Sequence, residues 1–166
     1  SLNYSKLQAG NYELSQSMSI ADIVKKFAQG DIVRQKITII EGWNIKDIAK
    51  NLEQQNIYPQ NDFLVATKAD FSENFEFLKD KPKNISLEGY LFPDTYYFPE
   101  KALPEDFLKI VLSHFDKKLS PELWQEIAKQ GKSIFDVVTM ASLLEKEVQS
   151  FEDKKMVSGI LWKRIK

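Results

Sequence analysis

QKITIIEGWNIKDIAKNL, residues 35–52, reads as a β-rich run, a tight turn and a short helix. Gly42 supplies the turn. Asn44 stands where a helix N-cap belongs, Asp47 follows three positions later as in a capping box, and Ile45, Ile48 and Leu52 recur at helical spacing. The same pattern occurs earlier in SIADIVKKF, residues 19–27, where Ile, Asp, Ile and Lys fall at matching places. Ser19 and Asp22 repeat the cap, NYELS at 11–15 is the matching β-rich run, and Gly30 closes the helix. The first part of the chain therefore reads strand, helix, strand, helix, as a weak internal repeat.

Working outward, NDFLVATKA at 61–69 suggests a further helix capped by Asn61, and the polar loop KDKPKN at 79–84 marks a boundary. This gives two lobes, residues 1–80 and 81–166. SLEGYLFPDTYYFP, residues 86–99, is dense in aromatics and carries Gly89, Pro93 and Pro99, which suits short strands and turns. Helices follow. Pro104 and Pro121 fit first helical positions, Ser120 and Ser133 fit N-caps, Asp136 completes a box with Ser133, and Gly131 ends the helix before it. A last helix is expected from Ser150, boxed by Asp153, with Met156, Val157, Ile160 and Leu161 inward. The fold class expected is α+β, a small α/β lobe and then a mainly helical lobe with short strands.

The 166 residues are 43% hydrophobic, enough for a core in one domain or two small ones. A net charge of −1 gives no basic field for nucleic acid or anionic lipid, so no nucleic-acid partner is expected. With no cysteine there is no disulfide or thiolate chemistry. No stretch approaches a membrane span, SLNYSKLQAG is no signal peptide, and VSGILWKRIK runs to the end as an uncapped helix, as in a piece of a longer protein. No P-loop, GxGxxG, HExxH or nucleophile elbow occurs, and neither a metal nor a cofactor is expected.

The chemically sharpest stretch is MASLLEKEV, residues 140–148. At about 100° per residue Glu145 falls between Val138 and Ala141, in line with Ile134 and Val148, whereas Lys146, Thr139 and Ser150 collect opposite. A carboxylate aimed inward needs a partner or must hold its proton. If it holds the proton it is a general acid, and glycoside cleavage is the obvious use. Patterning alone favours the blander outcome, a packed stem and a carboxylate reaching water or a lysine, and it separates Glu145 from Glu147 only modestly. In EGYLFPDTYYF the aromatics either stack on sugars or fill a core, the commoner fate, and Glu88 and Asp94 suit a turn as readily as a site. His114, among Val111, Phe115 and Leu119, reads as a core-edge histidine.

VVTMASLLEKEV, residues 137–148, together with LEGYLFPDTYYF, residues 87–98, resembles the MltG (YceG-like) endolytic murein transglycosylases in order and spacing. AGNYELSQSMSIADIVKKFAQG and ITIIEGWNIKDIAKNL resemble that family's LysM-like region. The resemblance covers nearly the whole chain, without the family's N-terminal transmembrane helix and the end of its catalytic domain. It implies a LysM-like region at 1–80, a C-terminally truncated catalytic domain at 81–166, and cleavage between N-acetylmuramic acid and N-acetylglucosamine to leave 1,6-anhydro ends.

By the same resemblance Glu145 is the catalytic acid, and Glu88, Tyr90, Asp94 and Tyr96 line the glycan cleft by hydrogen bonding and stacking. The implied partners are peptidoglycan glycan strands and cell-wall synthases, and the implied place is the bacterial envelope, outside an inner membrane reached only through the absent anchor. Two other readings stay open, a non-catalytic peptidoglycan-binding module and an interaction domain whose repeat meets another envelope protein.

Overall fold

In the computed structural model, residues 7–148 and 150–164 are described; the first six residues, Gln149, Ile165 and Lys166 lie outside them, and with them the start of SLNYSKLQAG and the end of VSGILWKRIK. The elements run α1 (Ile20–Gln29), β1 (Arg34–Thr38), α2 (Ile45–Gln54), α3 (Gln60–Ala66), a 3₁₀ turn at Glu76–Leu78, β2 (Thr95–Pro99), α4 (Pro104–Lys118), α5 (Pro121–Lys129), α6 (Ile134–Glu147) and α7 (Phe151–Arg164). The chain is α+β and mostly helical.

Local chemistry sets most helix starts. Both halves of the repeat close their capping boxes, Ser19 with Asp22 and Asn44 with Asp47, and Ser133 does the same with Asp136. Ser120 accepts from the Leu123 amide and Ser150 from that of Asp153. Pro104 and Pro121 sit in the first helical turns of α4 and α5, where a missing N–H costs nothing. Gly30, at φ 65°, ends α1 by donating to the carbonyls of Lys26 and Phe27.

Several expectations fail. NYELS is not a strand: Asn11 accepts from the Val33 amide, but β1 pairs with β2 instead, antiparallel from Arg34 opposite Pro99 to Thr38 opposite Thr95. The repeat also stops at its caps, because α2 buries Ile45, Ile48, Ala49 and Leu52 whereas every residue of α1 keeps some exposure. Asn61 caps nothing. The helix α3 begins one residue before it, with Pro59 as N-cap, and the Gln60 amide is satisfied by the Glu53 carboxylate from the end of α2.

Residues on both sides of position 80 share one hydrophobic core. Tyr58 and Phe63 meet Phe107 at ring distances of 6.2 Å, and Phe98 reaches the same ring at 4.7 Å. The KDKPKN loop is fastened rather than loose. Its Lys81 is buried, donates to the carbonyls of Pro82 and Ile85, and has its pKa lowered by desolvation. Near the C-terminal end the packing thins: Met156 and Ile160 of α7 face solvent, Val157 and Leu161 are only half-buried, and the expected inward stripe is not formed.

Phe107 is fully buried at the centre of this core. Phe107→Ala should cost about 3–5 kcal/mol of unfolding free energy in a denaturant titration. Probes in α2 and in α5 should report one shared transition; two separate ones would contradict a common core.

Candidate active site

A groove of about 460 Å³ opens between the turn that precedes α2, the segment Glu88–Pro93, and helices α4, α5 and α6. Its floor is apolar, with Ile127, Ile134, Val137 and Val138. Carboxylates of Glu41, Glu88 and Glu145 and the amines of Lys118 and Lys146 stand around it. Among the described residues no group of three or more His, Cys, Asp or Glu side chains is placed to hold a metal ion.

The two motifs read from the sequence meet here. Gly89 adopts φ 85°, and a Cβ built on it would lie 2.6 Å from Val138 Cγ1 and 2.8 Å from Ser142 Oγ. Only glycine lets this turn press onto α6 without strain. Glu145 lines the same groove, and at about 1.5 Å rise per residue it sits roughly one helical turn beyond Ser142. Its carboxylate does not point into the core. It is 41% exposed and paired with Lys154 of α7, Nζ to Oε2 at 2.9 Å. Of the two outcomes open to an inward-aimed carboxylate, the structure takes the partner. Glu147 is exposed as well but is not part of the groove lining.

The residues of the EGYLFPDTYYF stretch divide. Glu88 lines the groove and also accepts from the Ile45 amide at 3.1 Å, holding the first turn of α2. Asp94 lies just outside, accepting from the Thr95 amide and lying 2.8 Å from His114 Nε2. That contact, together with Tyr96 edge-on at 5.7 Å, keeps His114 half-buried at the rim of the core.

Tyr90 and Tyr96 depart from their expected place. They are 1% and 4% exposed and belong to the core, not to the groove wall. Tyr90 packs between Phe77 and Phe115, and burial pushes its phenol up to about 12. Tyr96 donates to the Phe92 carbonyl at 2.6 Å. The reason is alternation in β2: Tyr96 and Phe98 point inward while Tyr97 points out, and Tyr90 follows a turn whose docking sends it inward.

The aromatic side chains that line the groove are Trp43, Phe92 and Phe115, and of these sequence reasoning passed over Trp43 as a site residue. A tryptophan in the tight turn EGWN was the available signal.

The YceG-like family model matches residues 1–166. The chain belongs to the YceG-like family. It is 31% identical to a Streptococcus pneumoniae protein named endolytic murein transglycosylase, over 98% of this chain and 33% of that protein. A Bacillus subtilis protein of the same name is also 31% identical, over 98% of this chain and 48% of its own length. A crystal structure of a YceG-like protein from Listeria monocytogenes superposes with a TM-score of 0.62 at 30% identity, covering 96% of this chain and 56% of that one. This YceG-like chain thus spans between a third and about half the length of those relatives.

Gly89→Ala should cost about 1–3 kcal/mol through its positive φ alone, with the clash against Val138 added. The check is a denaturation midpoint beside that of Gly131→Ala, which has the same sign of φ and open space around it, and which should lose less.

Proposed function

We propose that this groove is the active site of an endolytic lytic transglycosylase acting on peptidoglycan glycan strands between N-acetylmuramic acid and N-acetylglucosamine. The observation that carries the reading is the convergence of the Gly89 turn and Glu145 on one apolar groove. The names of the pneumococcal and Bacillus relatives support it. In this reading Glu145 is the catalytic residue, Glu88 and Asp94 hold the groove wall, and Tyr90 and Tyr96 support it from the core. Residues 1–80 serve as the LysM-like, strand-holding part and 81–166 as the catalytic part of one packed body.

One carboxyl group is sufficient for the chemistry. Protonated Glu145 gives its proton to the bridging oxygen, the bond to the muramyl C1 breaks, and an oxocarbenium-like centre develops. The carboxylate then takes the proton of the muramyl 6-hydroxyl as O6 closes on C1. The enzyme returns to its starting state, no water is consumed, and the product ends in a 1,6-anhydro ring. This differs from the paired carboxylates of most glycosidases. The acid step requires Lys154 to leave Oε2, so an arriving strand must displace that ammonium.

The biological counterpart is a protein of the bacterial envelope that trims or ends nascent strands beside cell-wall synthases, held to the inner membrane by a segment outside this chain. Among the described residues no helix is long and apolar enough to cross a membrane. A non-catalytic peptidoglycan-binding module is the second reading, favoured by the exposed, paired state of Glu145.

In a version extended to the relatives' length, Glu145→Gln should lower the cleavage rate by about 10²–10⁴-fold with strand binding and folding retained. Glu147→Gln should be mild. Loss of activity in the Glu147 variant alone would transfer the catalytic role to that residue and remove it from Glu145.

A further inference from the structure

Trp43 occupies an unusual place. It is the residue just before the N-cap of α2, where an apolar side chain often staples onto the fourth helical residue, here the buried Ile48. The buried part of the side chain packs against the hydrophobic core, of which Ile48 is a member. The rest of the indole is exposed and lines the groove that Glu145 also lines.

Two hydrogen bonds and a glycine turn fix it there. The Trp43 amide donates to the Ile40 carbonyl at 3.2 Å, Gly42 turns the chain at φ 83°, and Glu88 clamps the next helical turn through the Ile45 amide. Glu88 is followed directly by Gly89, which lies on α6. Trp43 and Glu145 are therefore linked through the Glu88 carboxylate and the Gly89 turn packed on Val138 and Ser142 of α6. Of the other groove aromatics, Phe115 is buried in the core and Phe92 already carries the Lys118 ammonium 5.0 Å from its ring centre.

The geometry points to Trp43 as a sugar-stacking subsite for the glycan strand, held in register with Glu145 by Glu88 acting as a positioning residue. The inference rests on the functional reading above and extends it to a defined substrate contact. A pyranose presents an apolar C–H face edged by polar groups, and an indole offers the matching flat apolar body with one N–H donor. The stem peptide is not needed for this contact, so strands stripped of peptides should bind through it.

The test uses the Glu145→Gln chain, which leaves strands intact, and peptide-free glycan strands as the probe. Adding Trp43→Leu keeps an apolar staple and removes the aromatic face. Affinity should fall about tenfold while the denaturation midpoint holds, and Trp43→Phe should recover most of the loss. A second measurement needs no folded variant of uncertain stability: with 5-fluorotryptophan in the chain, the resonance absent from the Trp43→Phe spectrum should shift on adding strands. Parental affinity in Trp43→Leu, or an unmoved Trp43 resonance when strands are bound, overturns the subsite alone. Failure of the Glu145→Gln chain to bind any strand overturns the subsite together with the functional reading.

Discussion

The contact between the Gly89 turn and α6 organises the site. A side chain at position 89 would meet Val138 and Ser142 well inside van der Waals distance, so the turn and the helix touch with almost nothing between them. From that contact the chain runs in two directions. One residue back, Glu88 bonds the N-terminal turn of α2; one residue forward, Tyr90 enters the aromatic cluster with Phe77 and Phe115. A single tight turn thus links the first turn of α2, the core and the helix bearing Glu145. The groove is the space left beside it.

Electrostatics at the groove complement that geometry without closing it. Glu145 is held by Lys154, on the helix that follows, and α7 as a whole is lightly packed, with Met156, Ile160 and Phe151 exposed. An ion pair this exposed contributes little to stability, of the order of 0–1 kcal/mol. It is correspondingly easy to open. In the proposed reading, the carboxyl group of Glu145 waits behind a weak latch on the lightly packed α7, outside the rigid core.

What the sequence disclosed and what it hid follow from the range of the interactions involved. Caps are decided within four residues, which is why Ser19, Asn44, Ser120, Ser133 and Ser150 could each be read from their neighbours. The α3 start escaped because its N-cap, Pro59, makes no side-chain hydrogen bond and the Gln60 amide is bonded instead by Glu53, seven residues upstream on another helix. The strand expected in NYELS does not form because β1 takes its partner from Thr95–Pro99, and no local pattern announces which of two β-rich runs will win. For the site, helical phase aims Glu145 inward and Lys146 away, whereas Glu145 is exposed and both line the groove. The lysine paired with Glu145 lies nine residues on, across a helix boundary, beyond the reach of periodicity. Only the resemblance puts Tyr90 and Tyr96 at the cleft, and they take the commoner fate of such aromatics, filling the core; Trp43, on a turn of the other half of the chain, is brought in only by tertiary packing.

The identity of the strand ends left after digestion tests the account most directly. Purified glycan strands incubated with the chain at its relatives' length should, by mass spectrometry, gain 1,6-anhydromuramyl ends, since one carboxyl group passing a proton out and back leaves no place for water. New reducing ends would mean that water attacks C1 and that a second activating group has been missed. Unchanged strands would mean that the Gly89 turn, α6 and Glu145 form a binding groove that does no chemistry.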